Sequence, residues 1–491
     1  MRVADVAKPY DDDGQPAAAG VGPHVAAGRR WLAERWVARA VYGVLLAEVG
    51  VLIWFALSFK AIDFVIYMWG GHAVTHGTQL YLGSSGGNYF TYPPLAASLF
   101  APIAVLPSVL AQVLWELVSV AALAVAAWAI LKLAGWQPTR PEIAAVTAVS
   151  LLLEPVYHTL FNGQINLILL AIVAMDVWWV SAGRRGGGAG IGIAAALKLT
   201  PGIFIVLFLL TRRTKAAVTS ALTFLACGLI GWLMAPGASR LYWTRYFYDT
   251  KRVYPAYIGN QSIYGAAIRI FGGPGHAGLW YLPLTIVVAV VGLGSAAVFA
   301  RRHDWLRAMA VTGVTGLLVS PVSWTHHWVY VVPALITLAR DGKRGRIAAA
   351  CAFLLFGLAP LWWTPHSLLR PGYGFHGFVT VVANCYLAAG LMFLTYTGWR
   401  ARERPSGWMT PRDRLWSAHC PQVSGRLAGV GERGGQREHF AGPPCHAGVR
   451  GPGEHCELRL RHRQSPLCIS TGRARSATLA GRWHGLVVGM G

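Results

Sequence analysis

Apolar residues run along this chain in long blocks from Val37 to Tyr396, separated by short clusters of Arg and Lys. Several blocks reach the roughly 20 residues needed to cross a hydrocarbon core of about 30 Å. The pattern predicts a first span over Val37–Phe59 and a short, proline-bounded helix on the outer side over Pro94–Leu106. Further spans follow over Ser108–Leu133, Ile143–Leu160 and Ile165–Ser181. Gly190–Leu210 is interrupted by Lys198 and Pro201, and both its flanks are basic: Arg184-Arg185 before it, Arg212, Arg213 and Lys215 after it. Either both ends are cytoplasmic, which requires a hairpin of two short helices bent near Thr200-Pro201, or the positive-inside rule fails here. With the hairpin, the parity of the remaining segments works. Ala216–Met234, Leu279–Ala300, Leu306–Val322, a segment ending at Ala339, Ile347–Trp363 and Phe378–Tyr396 then place every short basic loop on one side. The expectation is an all-α polytopic membrane protein of about 10–12 transmembrane helices, with juxtamembrane helices on its outer face.

Composition sharpens this. Of 491 residues, 55% are hydrophobic and only 13% charged, against about a quarter charged in soluble domains. A soluble enzyme, a secreted disulfide scaffold and a nucleic-acid-binding domain are all disfavoured. The net charge of +23 does not point to nucleic acid, because the cations cluster between apolar segments. Cys227, Cys351 and Cys385 lie singly in apolar segments, and the four tail cysteines have no CxxC spacing. The chain divides into a cytoplasmic N-terminal tail (1–36), a membrane body (37–399) and a cytoplasmic C-terminal tail (400–491). The N-terminal tail is too long and polar for a cleaved signal peptide, so the first span reads as a signal anchor. The C-terminal tail carries 15 Arg, no Lys and six acids, nine of the 23 net positive charges. Rich in Gly, Pro and His, it reads as disordered or as out-of-frame translation of a GC-rich gene, and no function is assigned to it.

The outer surface is poor in carboxylates. Only Asp63, Glu154 and Asp249 are placed to reach an outward-facing cavity. If residues 61–67 form an interfacial helix, Asp63 and Tyr67 share a face; the plain alternative for Asp63 is helix capping. Glu154, one turn before His158, reads as a paired intramembrane acid or a substrate contact, and Asp249 as a solvated loop acid. Tyr92-Pro93-Pro94 starts the short outer helix. Asn162, Gln164 and Asn166 place amides at a tight bend, where sugar binding and helix capping compete as explanations. Asn260 and Gln261 offer the same chemistry, and Asn260-Gln-Ser262 also matches a glycosylation sequon. His326 and His327 lack the i, i+4 spacing of a metal pair, so a phosphate or hydroxyl contact fits one of them better, against an interfacial role beside Trp324 and Trp328. Lys198 is the sharpest cation, because an ammonium inside an apolar hairpin is costly and functional by default. Snorkelling is its competing explanation. Arg240, Arg245, Lys251, Arg252 and Arg269, with several tyrosines, make the loop from 235 to 278 a surface for anionic headgroups and sugars, or an aromatic belt.

Taken together, Asp63 with Tyr67, Gly77-Thr-Gln-Leu-Tyr81, Phe90-Thr-Tyr-Pro-Pro94, Asn162-Gly-Gln164, Lys198-x-x-Pro201 and Ser323–Trp328 resemble the actinobacterial membrane mannosyltransferases of glycosyltransferase family 87, over roughly residues 35–400. The resemblance is to the α-(1→2)-mannosyltransferases acting on lipomannan and lipoarabinomannan. It implies a GT-C-like fold and inverting, metal-independent transfer from polyprenyl-phosphate-mannose to a lipoglycan acceptor at the periplasmic face of the cell membrane, with no cofactor. It makes Asp63 the catalytic base, and Lys198, one of His326 and His327, and Arg269 candidates for the phosphate. Tyr67, Tyr92, Asn162, Gln164, Asn260 and Gln261 complete the expected substrate-binding set. A transporter or flippase of lipid-linked sugars is the competing class, with Asp63 merely structural. It is disfavoured because the spans show no inverted repeat.

Overall fold

The computed structural model describes residues 34–85, 87–365 and 375–403. The expected tails before residue 34 and after residue 403 lie outside them. The described chain is a helical bundle with no strands beyond two isolated bridges, Ser85–Asn88 and Asn260–Trp324. Its first half comprises α1 (Arg35–Ser58), α2 (Ile62–Thr75), α3 (Pro94–Ala104), α4 (Ser108–Leu133), α5 (Arg140–Leu151), α6 (Glu154–Phe161), α7 (Asn166–Ser181), α8 (Ala189–Leu197), α9 (Ile203–Leu210) and α10 (Thr214–Met234). There follow α11 (Ile263–Phe271), α12 (Pro274–Arg301), α13 (Trp305–Val319), a 3-10 turn (Thr325–Tyr330), α14 (Val331–Ala339), α15 (Gly342–Leu358) and α16 (Cys385–Arg402).

Four of the described helices are by themselves long and apolar enough to cross a membrane: α1, α4, α10 and the Trp280–Arg301 part of α12. The α5–α6 pair, expected as one span, is bent by 80°, the geometry of a broken span or of a re-entrant loop. Several other segments expected to cross are shorter or broken, so the 10–12 crossings do not correspond to 10–12 unbroken helices. The interruptions are tolerable because packed neighbours bond the freed backbone groups. Gln112 of α4 shows how: its amide accepts from the Ala61 N–H (3.2 Å) and donates to the Phe59 carbonyl (3.0 Å), securing the α1–α2 connection.

The segment around Lys198 is the most informative. Lys198 itself is extended (φ −152°, ψ 122°), ending α8, and a 3-10 turn over Thr200–Gly202 leads into α9. Close approaches set the direction of the two arms. A Cβ at Gly188 would collide with the Ala216 carbonyl, and one at Gly192 would stand 2.5 Å from the Ser220 carbonyl. The start of α8 therefore lies beside the start of α10, while the end of α9 joins α10 through three residues. Both arms reach the same end of the bundle, so α8 and α9 form the expected re-entrant hairpin. At 1.5 Å per residue, arms of this size rise only about 13–16 Å, half a membrane. Asp176 anchors the base, its two carboxylate oxygens accepting from the Gly188 and Ile191 N–H groups (both 2.8 Å) that open α8.

The basic loops gather at this same end. The Arg301 guanidinium donates to the Leu210 carbonyl (2.6 Å) and that of Arg302 to Ala401 (3.0 Å). Asp341 bridges Arg307, Arg400 and the Tyr396 hydroxyl, and Asp304 pairs with Arg307 and Arg340. Asp63, Tyr67, Asn162, Gln164 and Lys198, singled out by sequence, lie away from that charged layer, around the bend 162–165 and the hairpin apex. Gly163 positions that bend, with φ at +68° and a hypothetical Cβ only 2.5 Å from that of Phe64. The closeness allows the Asn162 carbonyl to accept from the Asp63 and Phe64 N–H groups (3.0 and 3.1 Å) and the Gly163 carbonyl to accept from Trp115 Nε1 (2.8 Å).

Gly163→Ala should thus cost the positive-φ strain of about 1 kcal/mol or more together with a clash against α2. Gly183→Ala, at φ +66° with open space around it, carries only the strain. Thermal unfolding in detergent should show a larger loss of midpoint for Gly163→Ala; equal losses would mean that the bend is not pressed against α2.

Candidate active site

Asp63 sits in the first turn of α2, partly open to solvent, where the helix N-terminus favours a negative charge. The Gln164 amide donates to its carboxylate, and Lys198 and His158 lie within electrostatic range. Because the Gln164 nitrogen is turned to Asp63, its oxygen faces the Tyr67 and Tyr92 hydroxyls, both at 2.8 Å, which are themselves 2.8 Å apart. Tyr67 stacks on Phe100 (4.2 Å between centroids, 5° between planes), and Tyr92 leads into the proline-started α3. Tyr67, Tyr92 and Gln164 are all buried. They form a layer beneath Asp63 that fixes its carboxylate, rather than the direct substrate contacts expected of them. Burial pushes the Asp63 carboxyl above the ordinary carboxylate value, partly offset by the Gln164 hydrogen bond and the positive charge of Lys198.

Lys198 faces this carboxylate from the hairpin apex. Its ammonium donates to Asn166 Oδ1 (2.8 Å) and His327 Nε2 (3.0 Å) and stands 5.5 Å from the centre of the Tyr92 ring. Two of its three N–H groups are thus committed, and the side chain is only half-buried. Since His327 Nε2 accepts from an ammonium, that imidazole is the Nδ1–H tautomer, hydrogen-bonded to the Val322 carbonyl. His327 therefore supports Lys198. The Asn166 amide donates to the His326 carbonyl (2.8 Å), which Thr159 also reaches (2.8 Å), so the 3-10 turn is pinned to α6 and α7. His326 Nδ1 lies 3.3 Å from the Asn162 amide, and its buried Nε2 has no partner among the described residues.

Beside Lys198 opens a small cleft. Asn166, Lys198, Thr200 and His327 form its polar end, and side chains such as Leu170, Phe204, Leu317 and Tyr330 its apolar remainder. An anionic group with an apolar chain attached matches this gradient.

Three expected substrate contacts are placed elsewhere. Arg269 is 1% exposed. Its guanidinium donates to the carbonyls of Tyr257 (2.9 Å) and Asn260 (2.8 Å), to the more distant Ala256 carbonyl, and to Asn384 Oδ1 from two nitrogens. All its nitrogens are committed, leaving nothing for a phosphate: Arg269 ties the loop before α11 to the start of α16. Asn260 and Gln261 are fully buried. The Asn260 amide bonds the backbone of Pro255, Pro321 and Ser323, and Gln261 bridges Ile258, Ala383 and Tyr386. They hold the Ser323–Trp328 strip in register, and the sequon at Asn260 is inaccessible. Conversely, sequence reasoning did not place Asn166 as the Lys198 partner, nor Thr325, Trp362 and Tyr386 around Glu154 and His158. Asn166 had a signal, lying four residues beyond Asn162, and Thr325 lies inside the Ser323–Trp328 motif; Trp362 and Tyr386 come from remote segments with none. Among the described residues no group of three or more His, Cys, Asp or Glu is placed to hold a metal ion.

Comparison with known proteins identifies the family. Residues 90–321 match the model of glycosyltransferase family 87. The chain is 34% identical over 356 residues (66% of this chain, 82% of the relative) to a polyprenol-phosphate-mannose-dependent α-(1-2)-phosphatidylinositol mannoside mannosyltransferase of Mycobacterium tuberculosis. It is 35% identical over 341 residues (63% and 76%) to a protein of the same description from Mycolicibacterium smegmatis. It is 29% identical over 295 residues (57% and 67%) to an α-(1->3)-arabinofuranosyltransferase of Corynebacterium glutamicum. No solved structure matches it. These relatives transfer sugars rather than transport them, and a fixed carboxylate facing a lysine at the mouth of an apolar cleft suits that chemistry: the chain belongs to glycosyltransferase family 87, as a membrane-embedded glycosyltransferase.

Proposed function

We propose that this chain transfers mannose, with inversion, from polyprenyl-phosphate-mannose to a mannose hydroxyl of a phosphatidylinositol-anchored glycolipid, forming α-(1→2) linkages at the periplasmic face of the cell membrane. The observation that carries the reading is that Lys198, within electrostatic range of Asp63, also lines the polar end of an apolar cleft. Residues 37–399 form the catalytic unit.

The donor phosphate sits at the polar end of the cleft, with its first isoprene units along the apolar wall. The acceptor hydroxyl lies against Asp63. Asp63 takes the hydroxyl proton as the oxygen attacks the anomeric carbon from the side opposite the phosphate. The bond between that carbon and the phosphate oxygen breaks, and the charge gathering on the departing lipid phosphate is met by the remaining Lys198 N–H. Asn166 and His327 keep the ammonium in place, so little reorganisation is needed as charge develops. The bland roles, capping for Asp63 and snorkelling for Lys198, account less well for the geometry. Asp63 makes a side-chain bond to Gln164 across the bend, and Lys198 points at His327 and Asn166 rather than at either membrane edge. Arabinofuranosyltransferases among the relatives make a lipid-linked pentose the alternative donor.

Membranes carrying the wild-type chain should transfer label from polyprenyl-phosphate-mannose to an α-mannoside. Asp63→Asn should lower kcat by about 10²–10⁴-fold. Transfer at the wild-type rate in that variant would remove Asp63 as the base, and preferential labelling from polyprenyl-phosphate-arabinose would reassign the donor. Lys198→Gln should lower kcat by about 10²–10³-fold; a change confined to acceptor KM would place the phosphate elsewhere. Because the base acts ionised and burial raises its pKa, kcat/KM should fall as pH drops through a value above the ordinary carboxylate pKa of about 3.9. A rate profile flat down to that value would contradict a buried carboxylate base.

A further inference from the structure

One constellation beside this site has no part in the mechanism so far. Glu154, at the start of α6 just past the 80° bend, is 1% exposed. One carboxylate oxygen accepts from His158 Nδ1 (2.8 Å) and Trp362 Nε1 (2.8 Å), the other from the Tyr386 hydroxyl (3.0 Å). Thr325 Oγ1 lies 2.9 Å from the same His158 nitrogen. The donors come from α6 itself, from the segment after α15 and from α16, so three distant stretches of chain converge on one carboxylate.

Such convergence on a buried acid exceeds what packing α6 requires, and its effect falls on His158. A carboxylate facing Nδ1 fixes the orientation of the ring, which turns Nε2 away from Glu154. The ring is also held edge-on to His326 (centroids 5.4 Å apart, 88° between planes) and to Trp362 (5.6 Å, 78°). The His158 side chain is 27% exposed, and its Nε2 makes no hydrogen bond among the described residues. The result is an oriented ring nitrogen, open to a ligand, within electrostatic range of Asp63.

His158 lies within electrostatic range of Asp63 and, like Asp63, does not line the apolar cleft beside Lys198, which places it with the base rather than with the cleft. The geometry points to His158 as a second contact to the acceptor sugar: Nε2 hydrogen-bonds the hydroxyl adjacent to the one that Asp63 deprotonates, O3 for transfer to O2. Glu154 is the residue that positions it. Two-point recognition of neighbouring hydroxyls sets which sugar oxygen lies against the base, so this pair selects the linkage as well as the acceptor.

The inference rests on Asp63 as the acceptor-side base, and the test separates the two. Transfer from labelled polyprenyl-phosphate-mannose to octyl α-mannoside and to its 3-deoxy analogue is measured with wild type, His158→Ala, His158→Gln and Glu154→Gln. Wild type should prefer the parent acceptor about tenfold in kcat/KM, as expected for one lost hydrogen bond. His158→Ala should raise the parent acceptor KM about tenfold, leave donor KM unchanged and abolish the preference, because the two losses remove the same bond. His158→Gln, with an amide oxygen near the Nε2 position, should restore part of the preference. Glu154→Gln should shrink it, with donor KM and thermal midpoint near wild type. A wild-type enzyme indifferent to the 3-deoxy change overturns the inference even if His158→Ala fails to fold. A His158→Ala enzyme that raises donor KM instead overturns it too. An active Asp63→Asn enzyme sinks the reading of the base while leaving the preference measurement interpretable.

Discussion

The architecture around the site depends on satisfying a charge and a broken backbone at the same point inside an apolar bundle. Lys198 is extended where two half-length helices meet, so free backbone groups and an ammonium coincide there. Two neutral partners from different elements resolve the conflict, Asn166 at the head of α7 and His327 in the 3-10 turn. Neither is an anion, so the lysine is held in place by neutral groups alone.

The same economy recurs around Asp63. The bend at Asn162–Ile165 uses backbone carbonyls to cap α2 and anchor Trp115, which frees the Gln164 side chain to work between the acid and the two tyrosines. Asp63, Lys198 and His158 keep exposed edges, whereas Tyr67, Tyr92, Gln164, Asn166 and Glu154 are buried.

Much of this was legible in the chain. Hydropathy with basic punctuation located the segments, and of the two options that the paired basic flanks of Gly190–Leu210 left open, the close approaches of Gly188 and Gly192 to α10 fit the hairpin. Rare polar residues in apolar text marked Asp63, Lys198 and the Asn162–Asn166 bend. What sequence could not convey was division of labour. Arg269 reads as a phosphate ligand until its neighbours show a guanidinium consumed by carbonyls, because local pattern does not reveal whether a cation has already spent its donors. Tyr386 and Trp362 stayed invisible for a related reason: each is an ordinary aromatic in an apolar segment, and only tertiary contact over more than 200 positions brings it to Glu154.

The shared amide of Gln164 has an evolutionary corollary. One planar group donates to the acid through nitrogen and receives two phenols through oxygen, so its polarity cannot be reversed at one end alone. A lineage that replaced the acid, or either phenol, would leave the amide with a mismatched face and would be driven to alter the others soon afterwards. Asp63, Tyr67, Tyr92 and Gln164 should accordingly drift as a block, inherited or lost together, while the lipid-facing surfaces around them diverge freely.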